Sequence, residues 1–256
     1  MSAIDASIFS PAEKLLWGCG CRLPEHIDLE GIANSKGALV RRRHMDGCAA
    51  RLVTDGTRAI ISIESHDSPG RQRFSLAHEL AHLINDAGHG FSCSAKDIGA
   101  ESAAAKSTEA NANLFASQLL LPDYMVMPWM AGRKMTLTVA AELGEAFGAS
   151  VTASAIKLVR RSNTMTLVAC HDKQRRRWYV TSPSWPFDVQ PAYELHQDTP
   201  AFEIVFRARN GMSAPRKEPG DRWLKGKDVY RMVVESQSMK LPDDSVLTIL
   251  SIAPQR

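Results

Sequence analysis

The sequence predicts an α+β chain in three parts, and three observations predict it. Two segments with helical character, residues 74–84 and 101–121, stand close together in the first half. Short β-branched or alternating segments precede them, cut by the turn dipeptides Asp46-Gly47 and Asp55-Gly56. Beyond Met165 the character shifts to apolar, β-rich runs separated by segments rich in Pro and Gly. The expected parts are residues 1–135, a helical pair over 136–163, and a smaller strand-rich α+β part over 164–256.

Taken in order, residues 10–17 read as a short helix. Ser10 can cap it, Pro11 suits the first helical position, and Glu13 sits at the third. A second helix spans residues 27–36, where Ile27, Leu29, Ile32 and Ala33 are apolar, and ends near Gly37. Residues 38–42, 48–54 and 58–64 then read as a small antiparallel sheet, with 58–64 as its edge. Ser68-Pro69-Gly70 turns the chain into the next helix.

That helix carries the motif that organises the chain, His78-Glu79-Leu80-Ala81-His82. Phe74, Ala77, Ala81 and Ile84 recur as an apolar stripe, while Arg71, Ser75, His78 and His82 line a polar one. Residues four apart on a helix lie about 40° round and about 6 Å along from each other, so two imidazoles can converge on one ion. The pattern H-E-x-x-H is zinc peptidase chemistry, with the glutamate as general base. A zinc with an open position lowers the pKa of its water to about 7, and Glu79 would take that proton and pass it to the leaving amine.

Residues 101–121 contain no Pro or Gly and stop at Pro122. Within this second helix Glu109 can supply a third ligand, although a glutamate at such a place is also commonly a solvated helix residue. Asn113 falls on the same face and can hold a histidine ligand through its free ring nitrogen.

Arg71-Gln72-Arg73-Phe74-Ser75-Leu76-Ala77-His78-Glu79-Leu80-Ala81-His82, followed by Glu109-x-x-Ala112-Asn113-x-Phe115-Ala116 and Leu119-Leu120-Leu121-Pro122, resembles the ImmA/IrrE family of intracellular bacterial metallopeptidases. The resemblance covers roughly residues 23–161. It implies a zincin-like domain with a gluzincin-like site, in which His78, His82 and Glu109 bind the metal and Glu79 is the catalytic base. It also implies a substrate class, helix-turn-helix transcriptional repressors whose cleavage relieves repression of mobile-element or stress genes. In such enzymes a sheet precedes the metal helix, and its edge strand can receive the substrate backbone.

Other residues carry weaker expectations. His66, His89 and Tyr124 are candidate donors to an oxyanion. Arg71 and Arg73 can hold a carboxylate or pack on the sheet. Residues 125–135, rich in Met and Trp, show little period. Residues 137–147 and 151–161 flank Gly148-Ala149-Ser150 like a helix-turn-helix, whose second helix bears Thr152, Ser154, Lys157, Arg160 and Arg161. Packing of that pair on the peptidase part is favoured over DNA contact, and binding of the repressor substrate is a third use. Strands are expected at 165–170, 178–181, 202–208, 229–235 and 246–252, in a part whose use would be regulation or substrate recognition.

Composition bounds the rest. No stretch of eighteen apolar residues occurs, so no membrane span is expected, and Asp5 without a basic cluster argues against a secretory signal. Five scattered cysteines do not form a disulfide framework and fit a cytoplasmic protein; the Cys19-Gly20-Cys21 pair alone is a weak metal motif. A net charge of +3 does not imply nucleic acid, and the basic runs at 41–44 and 173–177, at a strand end or hairpin turn, read as solvated edges ahead of phosphate or DNA contact. The expected protein is a zinc endopeptidase, with Mn²⁺ or Fe²⁺ as other metals such ligands accept. The alternative is a DNA-binding or protein-binding regulator with a non-catalytic metal site. Oligomeric state is not legible.

Overall fold

The computed structural model describes residues 5–55, 58–85, 103–207 and 210–252, and they form an α+β protein. The chain divides into two compact units, Met1–Trp129 with Glu145–Ser150, and Met130–Gly144 with Val151–Arg256.

The first unit begins with α1 (Pro11–Gly18), closed by the expected capping box. Ser10 Oγ accepts from the Glu13 amide at 3.3 Å, and Glu13 Oε2 accepts from the Ser10 amide at 2.9 Å. Such a cap stabilises a helix by about 1 kcal/mol. The other Glu13 oxygen accepts from the Asp123 amide at 2.6 Å, so one buried carboxylate caps two helices far apart in sequence. Helix α2 (Leu29–Ser35) follows, with Asp28 as its N-cap.

Strands β1 (Ala38–Arg43), β2 (Ala50–Thr54) and β3 (Ala59–Glu64) form a sheet in the order β1-β3-β2. This corrects two expectations. The sheet is mixed, because β1 and β3 run parallel while β2 and β3 are antiparallel. Residues 58–64 occupy the centre and not the edge. The reason is burial: Ile61 and Ile63 are fully buried and Ser62 between them is buried too, as suits a strand covered on both faces. The arginines of β1 suit an edge. Arg42 is paired there with Glu30 and Gln72, so part of that basic run is tied to the fold.

Helix α3 (Pro69–Asn85) packs on β2, β3 and the long helix α4 (Ala103–Leu120). The expected stripe is partly corrected. Ala77 and Ala81 are buried, but Phe74 and Ile84 are only half-buried, and Leu76 and Leu80 carry the apolar contact. Ser75 and His82, read as part of the polar stripe, are buried as well, and so is Glu79. A helix between a sheet and another helix is covered on more than one side, so a single stripe describes it poorly.

Residues 125–135 hold a helix that periodicity did not reveal, α5 (Asp123–Met130). Pro122 ends α4 and also opens α5, and buried Met125, Val126 and Met130 anchor it despite the internal Pro128.

Helices α6 (Leu137–Phe147) and α7 (Val151–Arg161) match the sequence reading, with Gly148 turning the chain at φ 63°. A side chain there would meet Arg73, whose Nε lies 2.8 Å from the position of an added Cβ. Arg73 therefore packs against the turn, and it also donates to the Ile27 carbonyl at 3.5 Å. On α7, Ser154 and Lys157 are buried, leaving Arg160 and Arg161 as the exposed basic side chains of the five considered for a groove.

The second unit is built on a five-stranded antiparallel sheet. Its strands are β4 (Thr166–His171), β5 (Arg176–Thr181), β7 (Arg216–Pro219), β9 (Val233–Lys240) and β10 (Val246–Ile252), in the order β5-β4-β10-β9-β7. The short strands β6 (Gln190–Pro191) and β8 (Leu224–Lys225) pair separately. Residues 202–208, expected as a strand, lie largely in helix α8 (Pro200–Phe206). Thr199 accepts from the Phe202 amide, Pro200 takes the first helical position, and Glu203 sits in the first turn; these start signals outweigh the β-like composition. The run expected at 229–235 begins four residues later, at Val233. Leu167, Ala169, Ala201, Ile204, Trp223 and Leu250 form the core between sheet and helix. In the basic β4–β5 turn, Arg177 pairs with Asp243 at 2.5 Å and Arg176 donates to the Pro191 carbonyl.

His171, at the end of β4, makes a pH-dependent contribution. It is 2% exposed, its Nε2–H donates to the Ala192 carbonyl at 3.2 Å, and Nδ1 has no partner among the described residues. Burial holds its pKa below the ordinary 6.5. The unfolded chain therefore binds a proton that the folded chain refuses, and stability falls as pH drops below about 6.5. Urea midpoints taken between about pH 7.5 and 5.5 should fall more steeply for the native chain than for His171→Gln. Parallel slopes would contradict this account.

Candidate metal centre

Two helices bring the motif residues together. Helix α3 places His78 and His82 one turn apart, and α4 packs across it with Glu109 and Asn113 on the facing side. His78 Nε2 lies 3.3 Å from Glu109 Oε2, His82 Nε2 lies 3.3 Å from Glu109 Oε1, and the two Nε2 atoms are 3.1 Å apart. His82 is buried and His78 half-buried, whereas the Glu109 side chain is 50% exposed. The two histidines expected together, and the glutamate on the next helix, are thus within reach of one ion.

The spacing fits a tetrahedral ion. With bonds of about 2.0–2.1 Å, two ligand atoms of a tetrahedral zinc stand about 3.3–3.4 Å apart, close to the three separations here. The proton inventory agrees. Asn113 Oδ1 lies 3.2 Å from His78 Nδ1, and an amide oxygen there accepts the Nδ1 proton. In the neutral ring Nε2 then carries a lone pair facing a carboxylate oxygen, a contact between acceptors that a cation satisfies. Burial, and then the neighbouring His82, hold the His78 pKa below its ordinary value, which favours the neutral, metal-binding ring.

Glu79 sits next to this cluster in sequence and is 3% exposed. It accepts a hydrogen bond from the backbone of Leu52 in β2, while its Oε2 has no partner among the described residues. Burial, opposed by His82, pushes its carboxyl up to about 7. A buried carboxylate with one unclaimed oxygen is costly unless something uses it. The Leu52 contact had no signal in the sequence, because it depends on the edge strand passing beside α3.

The other candidates fare differently. The Tyr124 hydroxyl donates to the Cys21 carbonyl at 2.8 Å, and its ring stacks on Phe9 and meets Trp17 edge-on. Burial pushes that phenol up to about 12. Tyr124 is thus a packing residue with its proton already committed. His66 bonds with His44 and Glu64. Arg71 is exposed and Arg73 packs as described, while His89 lies outside the described residues.

A search of curated proteins finds no match. Among solved structures, a Mycobacterium tuberculosis transcriptional regulator is similar in fold, with a TM-score of 0.63 and 14% identity over 94% of this chain and 74% of that one. At that identity the likeness concerns the fold alone. Residues 33–159 match the model of a peptidase family described as the IrrE N-terminal-like domain. That segment contains β1 to β3, helices α3 and α4 and all but the last residues of α7. Residues 33–159 therefore belong to the ImmA/IrrE family, as its IrrE N-terminal-like peptidase domain.

Proposed function

We propose that this protein is a zinc-dependent intracellular endopeptidase whose substrate is a helix-turn-helix transcriptional repressor. One observation carries the reading: a buried Glu79 with an unclaimed carboxylate oxygen stands beside three converging ligand atoms. A metal site that serves structure alone closes its coordination shell and has no use for such a base.

In this reading His78, His82 and Glu109 hold the ion, and two imidazoles with a carboxylate suit Zn²⁺ better than Mn²⁺ or Fe²⁺. When bound, the ion supplies Lewis-acid polarisation of the scissile carbonyl and acidifies a water molecule. The chain's own residues do the rest. Asn113 fixes the His78 tautomer by taking its Nδ1 proton. The Leu52 amide orients Glu79, leaving Oε2 to accept the proton of the attacking water and then deliver it to the leaving amine. Strand β2 is an edge of its sheet beside α3, so an extended substrate can add to it as a further strand.

The repressor as substrate, and the stress response that its cleavage would release, rest on the family resemblance. The alternative, a DNA-binding or protein-binding regulator with an inert metal site, draws no support from α7, whose Ser154 and Lys157 are buried. To test the choice, the zinc-loaded protein is incubated with purified helix-turn-helix repressors from the same genome, and fragments are identified by mass spectrometry. The expected result is cleavage of one repressor, abolished by a chelator. Salt-dependent DNA binding with no cleavage of any repressor would favour the alternative.

Asn113 offers a quieter test. Asn113→Ala should weaken zinc binding by about 10–100-fold, read by competition with a chromophoric chelator. An unchanged affinity would remove Asn113 from the site.

A further inference from the structure

The parallel pairing of β1 and β3 has a chemical result at its C-terminal end. Arg43 stands opposite Glu64 in the ladder, and the Ser65 amide extends it by donating to the Arg43 carbonyl at 3.1 Å. The residues just beyond, His44 and His66, are thereby brought to either side of Glu64. His44 Nδ1 lies 3.2 Å from Glu64 Oε2, His66 Nδ1 lies 3.0 Å from Glu64 Oε1, and the two Nδ1 atoms are 3.2 Å apart.

These separations approach the tetrahedral edge of about 3.3–3.4 Å used above. With both rings neutral, hydrogen bonds alone do not account for them. Asp46 Oδ1 lies 3.2 Å from His44 Nε2 and accepts its proton, so in the neutral ring Nδ1 carries a lone pair. A proton on His66 Nδ1 can serve Glu64 Oε1 or His44 Nδ1, but the contact between His44 Nδ1 and Glu64 Oε2 still sets acceptor against acceptor. Glu64 is meanwhile held as an anion in a fixed pose, with Oε2 accepting from the Met45 amide at 2.6 Å and Oε1 from the His66 amide at 2.9 Å. A carboxylate orienting the far nitrogen of a histidine is also the usual support for a metal-binding imidazole.

We propose that His44, Glu64 and His66 form a second binding site for a divalent transition-metal ion, with Asp46 as the residue that orients His44. The ring nitrogens select such an ion over Mg²⁺ or Ca²⁺. The side chains of His44 and His66 are 65% and 76% exposed, so the ion exchanges readily and binds more weakly than one held by the buried histidine of α3. Its place joins the β1–β2 connection to the segment entering α3, three residues before Pro69. Occupancy would brace the start of the helix that carries His78.

Zinc titration of the full chain, followed by equilibrium dialysis and elemental analysis, tests this site separately from the first. The native protein should saturate at two ions per chain, one tight and one weak. His66→Ala should lose the weak ion and keep the tight one, while Glu109→Ala should lose the tight ion and keep the weak one. Asp46→Ala should weaken the second ion about tenfold. His66 is exposed, so its replacement leaves folding intact, which circular dichroism checks; Glu64→Gln, which keeps an oxygen for a backbone donor, gives a second route to the same loss. A weak ion that persists in both His66→Ala and Glu64→Gln, or a native stoichiometry of one that His66→Ala leaves unchanged, overturns the second site without touching the first.

Discussion

Glu79→Gln is expected to keep its metal at the native level and to lose cleavage by about 10²–10⁴-fold, the usual contribution of a positioned general base. The amide is close in shape to the carboxyl, and an amide oxygen can still accept from the Leu52 backbone, so the local fold is retained. What disappears is the basic oxygen that takes the proton. Because Glu79 is 3% exposed and its pKa is pushed up by burial, the neutral amide should even be tolerated better than the charged group, and the melting temperature should hold or rise. Metal analysis beside a cleavage assay separates the two roles. Full activity in a metal-loaded Glu79→Gln protein would remove the proposed mechanism.

His78→Ala should lose both metal and activity. In the proposed centre its ring offers one of three converging ligand atoms, and Asn113 holds that ring through Nδ1. Loss of one of three protein ligands should weaken zinc by more than the 10–100-fold expected for a supporting residue. Acid should act in the same direction, because an imidazole must be neutral to bind metal. Burial lowers the His78 pKa but pushes the Glu79 carboxyl up to about 7, and both groups must be deprotonated to act, so activity should fall as pH drops through about 7. Full activity kept well below about pH 6 would contradict Glu79 as the base.

The helices of the candidate metal centre were legible because their signals are local. Capping residues at Ser10, Pro11 and Glu13 fixed α1, and the spacing of His78 and His82 needed only a helix to bring them within 3.1 Å. The Glu109 contact was anticipated through its place on the next helix and the family motif. What escaped was non-local. The order of the first sheet was misread because adjacent segments with turn dipeptides suggest hairpins, and nothing local says that β1 passes over to pair with β3 in parallel. The same misreading hid the group of His44, Glu64 and His66, since a simple antiparallel meander would not place those ends together. The Leu52 amide beside Glu79 depends on that sheet order as well. In the second unit, α8 was lost to composition: Phe202, Ile204 and Val205 look like strand, and only Thr199 and Pro200 upstream mark the helix start.

The proposal that the second long helix completes the metal centre is tested most directly by the metal content of the purified protein. Native chain and Glu109→Ala are dialysed side by side against metal-free buffer and analysed for zinc. The expected result is about one tightly held zinc per native chain, with none retained by Glu109→Ala. Equal zinc in both would show that Glu109 is not a ligand, and zinc in neither would contradict a preformed metal centre on α3 and α4.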